Sequence, residues 1–288
     1  MKSKILTIFI LLFCSSLLVA QKSVTLSDAS KMTNANLKSF KKGEIKKVMF
    51  MEFFGEFITS KETSSSVMDK RYGSGSGYSV LQGIEVGEDY YETVTNEIYD
   101  LVKKIFTENG IEVLDKETLI NNPDYIALGL KEEKGTRGYT GGVAKQSVTT
   151  EGIKRSVTGM GMFSETLKIM AVSKIKQMVP KIAKDNDCQA ALTVTFKFGL
   201  GKKNVPTLDF IKIVMDSDVG SSGKGKNEMF FFKKGGVEIF NTKKGLVGSK
   251  DFIGDDGEPV LEKYHEEMLG LVSEMTQAYT LLLQDELK

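Results

Sequence analysis

The chain has 288 residues, with 39 Lys and Arg against 38 Asp and Glu, one His, two Cys and no Trp. That length makes one large or two modest domains with chain enough for a core, and 41% apolar with 27% charged residues excludes wholesale disorder and fibrous repeats. A formal charge of +1 offers no basic excess for a nucleic-acid partner, and two Cys with one His exclude a zinc ribbon or a disulfide framework.

Lys2 and Lys4 precede an apolar stretch over 5–20 that ends Leu18-Val19-Ala20. A basic start, an apolar middle and a small final residue describe a secretory signal peptide (1–20), and the stretch falls short of the roughly 20 residues a spanning helix needs. Phe13 stands where a lipoprotein signal would place a small residue before Cys14, so cleavage after Ala20 is the expectation. Without Lys2 and Lys4 the 39 basic groups fall to 37 against 38 acidic ones, and Cys188 is the single remaining thiol. Stability then has to come from packing.

Residues 21–42 read as a polar, mobile leader, and 43–288 as a single α/β domain. Val48-Met49-Phe50-Met51 with Phe53-Phe54 is a nearly continuous apolar run, the mark of a central strand covered on both faces. Ser64-Ser65-Ser66 and Gly73-Ser74-Gly75-Ser76-Gly77 have the composition of flexible loops. Tyr78, Val80, Ile84 and Val86 suggest a short edge strand. Over 88–109, Tyr91, Val94, Ile98, Leu101, Val102 and Ile105 recur at helical steps, and Asn109-Gly110 supplies the stop. A strand at 111–114 follows, which makes a β-α-β start with a parallel crossover. A helical turn then ends at Pro123.

Residues 131–163 hold seven glycines, few large apolar residues and much Thr, Ser and Lys, and read as a glycine-rich excursion. A helix is expected from Ser164 to Ile182, bent at Pro180. Leu192, Val194, Phe196 and Phe198 alternate with polar residues as a half-buried strand. Strands at 208–215 and 229–232 follow, with hairpin turns at Gly235-Gly236 and Lys244-Gly245. A long C-terminal helix over 258–287 carries Leu261, Tyr264, Met268, Leu271, Met275, Ala278 and Leu282 on one side.

Chemistry-bearing residues are few. Cys188 leads into an apolar strand and reads as a small buried hydrophobe. His265 lies beside Glu262, Glu266 and Glu267 and reads as a solvated helical histidine. Asp216-Ser217-Asp218-Val219-Gly220 resembles the start of a calcium loop, but no glycine falls sixth and Glu228 lies one place beyond the twelfth. Asp251, Asp255, Asp256 and Glu258 fit a turn before a helix, where carboxylates favour the helix dipole. Gly159-Met160-Gly161-Met162-Phe163-Ser164 opens a helix without the glycine spacing of a nucleotide loop. Met170, Met178, Met268 and Met275, like Tyr90, Tyr91 and Tyr99, read as packing residues. No catalytic, cofactor-binding or metal residue is assigned.

The run from Ile45 to Phe53, then a helix, then Asn109-Gly110-Ile111-Glu112-Val113-Leu114-Asp115-Lys116-Glu117-Thr118-Leu119, resembles the opening of periplasmic domains of the curli secretion lipoprotein family and of the TolB amino-terminal domain. The helix running through Asp187-Cys188-Gln189-Ala190 into a strand is similar to their second helix–strand unit, and 237–248 to their later hairpin. The resemblance implies envelope scaffolding or binding and carries no catalytic residues. Residues 131–163 lack the alternation of a membrane hairpin, which points away from pore formation.

The expectation is therefore an exported, periplasmic or outer-membrane-associated α/β (α+β) protein. It has a mixed sheet with packed helices, late β-hairpins and a long C-terminal helix. Its function is a non-enzymatic binding or assembly module with protein partners in the envelope, with peripheral membrane association, no cofactor and no nucleic acid. The alternatives are a secreted hydrolase built on Asp251, Asp255, Asp256 and His265, and a calcium- or glycan-binding surface protein.

Overall fold

The computed structural model describes residues 23–40, 45–68, 75–84, 86–131, 134–143, 146–162, 178–217, 236–250, 252–254 and 260–288. The polar start is part of the fold. Helix α1 (Leu26–Met32) is capped by the Thr25 hydroxyl, which accepts from the Asp28 N–H. Strand β1 (Thr33–Ala35) follows, and Ala29, Leu37 and Phe40 are buried. These few apolar residues, spaced too irregularly to signal a helix or strand, are enough to dock 23–40 on the body.

Strand β2 (Lys47–Met68) runs for 22 residues, far past the apolar stretch that announces it. β3 (Gly75–Gly83) folds back on it, and α2 (Glu88–Thr107) leads to β4 (Glu112–Val113), which pairs parallel with β2 at Lys47↔Glu112 and Val48↔Val113. The β-α-β start is thus present. α3 (Lys116–Ile120) and α4 (Pro123–Ala127) come next. Pro123, expected to break a helix, instead opens α4 from the first-turn position, with the Asn122 side chain accepting from the N–H groups of Asp124 and Tyr125.

The glycine-rich excursion is a hairpin of β5 (Lys134–Val143) and β6 (Gln146–Ser156). Glycine, serine and threonine give no hydrophobic period, but the ladder is made by backbone groups and forms without one. The same reason explains why Ser64-Ser65-Ser66 and Gly75-Ser76-Gly77 lie in strands rather than in flexible loops. Of the helix expected from Ser164, residues 178–185 are helical (α5), with Pro180 inside, and 163–177 lie outside the described residues.

β7 (Ala190–Leu200), β8 (Pro206–Ser217), β9 (Gly236–Thr242), β10 (Leu246–Val247) and α6 (Leu261–Leu287) complete the chain. The strand expected at 229–232 lies outside the described residues. The ten strands form one mixed sheet in the order β1-β9-β8-β7-β2-β6-β5, with β3 and β4 also on β2 and β10 on β8. Lys244-Gly245 does not make a β9–β10 hairpin. β10 pairs with β8 at Leu246↔Leu208, and Gly245 lies so close that a Cβ would stand 2.9 Å from the Leu208 carbonyl oxygen.

The core lies between the sheet and the two long helices. Phe50 and Phe53 each meet Tyr99 of α2 edge-on at 5.3 Å, and Phe240 stacks on Tyr279 of α6 at 4.4 Å. The Tyr279 hydroxyl donates to the Ile211 carbonyl at 2.6 Å, which ties α6 to β8. Burial raises the phenol of Tyr91 to about 12 and pushes those of Tyr99, Tyr264 and Tyr279 further up.

Gly55 faces the ring of Phe196 across the β2–β7 pair, where a Cβ would fall 2.1 Å from ring carbons. Phe196 is held by Phe53, Phe57 and Phe198 and has nowhere to turn. Gly55→Ala should cost about 2–3 kcal/mol in urea unfolding. Gly270→Ala, on an exposed part of α6 with nothing within 4 Å, should instead stabilise by roughly 0.5–1 kcal/mol.

Candidate functional site: a four-stranded arm

β2 belongs to two assemblies. Its first half, to Phe57, pairs parallel with β7 in the body, and from Ser60 onward it pairs with β3 on that same edge. Its other edge carries β4 at the start and β6 from Phe54 to Ser65. Past Ile58 the sheet is therefore a four-stranded antiparallel arm in the order β3-β2-β6-β5. A bulge between Ile58 and Ser60 marks the departure from the body, and such an extra residue bends and twists the strand that holds it.

Register sorts the arm into two sets of alternate cross-strand rows. One set holds Tyr78–Ser65–Gln146–Val143, Val80–Thr63–Val148–Gly141 and Gln82–Lys61–Thr150–Tyr139. The other holds Ser79–Ser64–Ser147–Gly142 and Leu81–Glu62–Thr149–Thr140. The valines and tyrosines thus fall in the first set, and small polar residues dominate the second.

The neck of the arm is closely packed. Phe57 packs on Tyr91 at 4.8 Å and stacks on Phe198 at 5.7 Å. Beside it Lys197 lies 3.3 Å from Glu56, with both side chains mostly buried, and the Lys154 ammonium sits 5.9 Å from the centre of the Phe54 ring. The Ser60 hydroxyl donates to a Glu151 carboxylate oxygen at 3.3 Å. At the base of β3 the Asn204 side chain donates to the Gly83 carbonyl at 2.8 Å, and the Ile84 N–H to the Thr59 carbonyl at 3.2 Å.

Among the described residues, those singled out by sequence are not brought together. His265 places Nε2 2.6 Å from Glu97 of α2 with the Tyr90 ring beside it, so it clamps two helices. Glu267 instead accepts from the Ser249 hydroxyl at 3.0 Å. Asp216 and Ser217 are buried at the end of β8, while 218–220, Asp251, Asp255, Asp256 and Glu258 lie outside the described residues. Gly159 takes a positive φ of 81°, and the Gly161 N–H donates to the Tyr125 hydroxyl, so this segment is a packed turn. Met268 and Met275 are in the core. Among the described residues no group of three or more His, Cys, Asp or Glu is placed to hold a metal ion, and no helix is long and apolar enough to cross a membrane. Comparison with family models, curated proteins and solved structures returns no match.

Of the arm, sequence reading found the edge strand β3 from Tyr78 and Val80, and missed the extension of β2 and the β5–β6 hairpin, whose strands carry no apolar alternation strong enough to stand out. A usable signal was present in the polar runs of similar length on each side of 69–74 and of 144–145.

Cys188 is buried between α5 and β7, and desolvation pushes its thiol up to about 11 from an ordinary 9.0. A raised acid pKa in the folded state holds the proton more tightly than the unfolded chain does. Its stabilising effect is complete below pH 9 and is lost as pH rises toward 11. The urea midpoint should fall between pH 8.5 and pH 10.5 (roughly the window of these two values), and Cys188→Ala should make that fall shallower.

Proposed function

We propose that this chain is an exported, non-enzymatic envelope assembly module. Its arms join edge to edge, β3 of one copy beside β5 of the next, into a closed β-barrel across a membrane. The observation that carries this reading is the arm itself, with one long strand passing from a packed body into a sheet whose outer strands, β3 and β5, each have a single pairing partner among the described residues. Open edges of this length are templates for pairing with another chain. In the arm, β2 and β5 run one way and β3 and β6 the other, so β3 against a neighbour's β5 continues the antiparallel alternation without a fault. Such a head-to-tail contact closes into a ring when its rotation allows.

Strand lengths agree with that role. β3, β5 and β6 have 9, 10 and 11 residues, and a tilted strand crosses a bilayer in roughly 9–11. By register the rows with Val80–Thr63–Val148 and Tyr78–Ser65–Gln146 share one face of the arm, which this reading turns to lipid, and the Ser and Thr rows share the other, which it turns to a polar interior. Lys61 and Tyr139 share the row at the body end of the lipid set, where an interface suits both a long cation and an aromatic ring. The signal-peptide pattern over 5–20 and the resemblance to envelope domains support export and an outer-membrane position. Residues 134–156 supply two of the arm's four strands, although their apolar alternation is weak.

The protein, purified in detergent and reconstituted into phosphatidylethanolamine–phosphatidylglycerol vesicles, should form a multi-copy particle by light scattering and release entrapped calcein. Val148→Lys should abolish release, since a cation at mid-membrane costs about 2–4 kcal/mol per copy, whereas Ser147→Lys on the adjacent row should retain it. A monomeric species that leaves the vesicles sealed would overturn the reading.

A further inference from the structure

We infer that the end of the body from which the arm leaves is a lipid-contact surface, in which Val247, Val260 and Leu261 enter the headgroup region of the bilayer. The inference rests on the reading that the arm crosses a membrane, and it adds which body residues meet the same lipid. Register fixes the end in question. β2 and β7 run parallel with Phe57 opposite Phe198, so Gly199 and Leu200 come level with Ile58 and Thr59, where the arm departs. Thr207 lies opposite Gly199, and Val247 opposite Thr207. The turn between β7 and β8 reaches the arm itself, through the Asn204 side chain on the Gly83 carbonyl. α6 starts at this end too. Its Glu267 holds Ser249, two residues after Val247, whereas its Tyr279 bonds Ile211 deeper in the body. Leu261 therefore points toward the arm, six residues or about 9 Å beyond Glu267 along the helix.

Exposure agrees with that placement. Among the described residues six large apolar side chains are exposed, and three of them stand at this one end: Val247 at 70%, Leu261 at 46% and Val260 at 37%. Exposed apolar residues gathered at one place mark a contact surface, whereas scattered ones do not. Lys61, in the interface row of the arm, is three residues past Ile58, about 10 Å along the strand. The reach of α6 beyond Glu267 covers a similar distance, so Leu261 comes to the depth of that row. Charge does not select the lipid. Exposed Lys202, Lys203 and Lys250 share this end with exposed Asp209, Glu262 and Glu266, so the signs are mixed. Removal of apolar surface from water is the attraction, and it acts whatever the headgroup charge. A ring of arms brings one such end per copy to the same bilayer, and weak contacts held together in this way add up.

The chain has no Trp, so a single introduced one reports its own surroundings. Full-length Leu261→Trp, Val247→Trp and Leu287→Trp chains are reconstituted into vesicles whose acyl chains are plain or brominated near the headgroup, with calcein release read on the same vesicles. The Leu261→Trp and Val247→Trp chains should lose most of their emission to bromine, with or without phosphatidylglycerol. Leu287→Trp, about 39 Å away along α6, should keep its emission. The two rim positions lie on separate elements, so one still reads if the other substitution misfolds. Calcein release without quenching at either rim position overturns this contact and leaves the barrel standing. Equal quenching of Leu287→Trp, or rim quenching that needs phosphatidylglycerol, overturns it as well. Rim quenching on vesicles that stay sealed supports the contact and overturns the barrel, and sealed vesicles without quenching overturn both.

Discussion

Strand β2 is a single backbone run that has to satisfy two surroundings. Over its first half Val48, Met49, Phe50, Met51 and Phe53 are buried, and the strand takes ladder bonds from β7 on one edge and from β4 and then β6 on the other. From Thr59 to Ser66 the residues are Ser, Thr, Lys and Glu, and the ladder partners become β3 and β6. A strand cannot stop pairing in mid-course without exposing donors and acceptors, so each partner that ends must be succeeded by another on the same edge. β3 begins where β7 ends, and the rest of the architecture follows from that handover. The Ile58–Ser60 bulge, the glycine against Phe196 and the aromatic neck are all placed where one half gives way to the other.

The neck ties the arm to the body. An arm of this kind joined by a loose hinge would present its edges at random angles and lose orientation entropy on every encounter. Phe57, Tyr91, Phe196 and Phe198 pack together, with the Glu56–Lys197 pair alongside, and β2 and β6 run unbroken from body to arm. The arm is therefore aimed by the body, and what orients one body orients the edges it carries.

Legibility in the sequence divides along physical lines. α2 and α6 were readable because burial on one face imposes a helical period on Val94, Ile98, Val102 and Ile105, and on Tyr264, Met268, Leu271 and Met275. β7 and β8 were readable from alternation, and the parallel β2–β4 unit from the order of elements. Apart from the edge strand β3, the arm was not readable. Its strands are specified by backbone pairing and by turns, and Gly, Ser and Thr at alternate positions look like linker sequence. The β10 pairing was hidden as well, because the turn signal at Lys244-Gly245 fixes a change of direction without naming the strand that receives it.

Taken alone, the residues determined the class of fold, the central strand, the two long packed helices and the burial of Cys188. Each of these follows from local composition or from a period imposed by one buried face. Only the tertiary structure decided that the serine- and glycine-rich stretches are two hairpins sharing one sheet with the body. It also decided that His265 meets Glu97. Those outcomes depend on which distant backbone completes a ladder and on where sheet order carries an element, and neither leaves a local mark on side-chain chemistry.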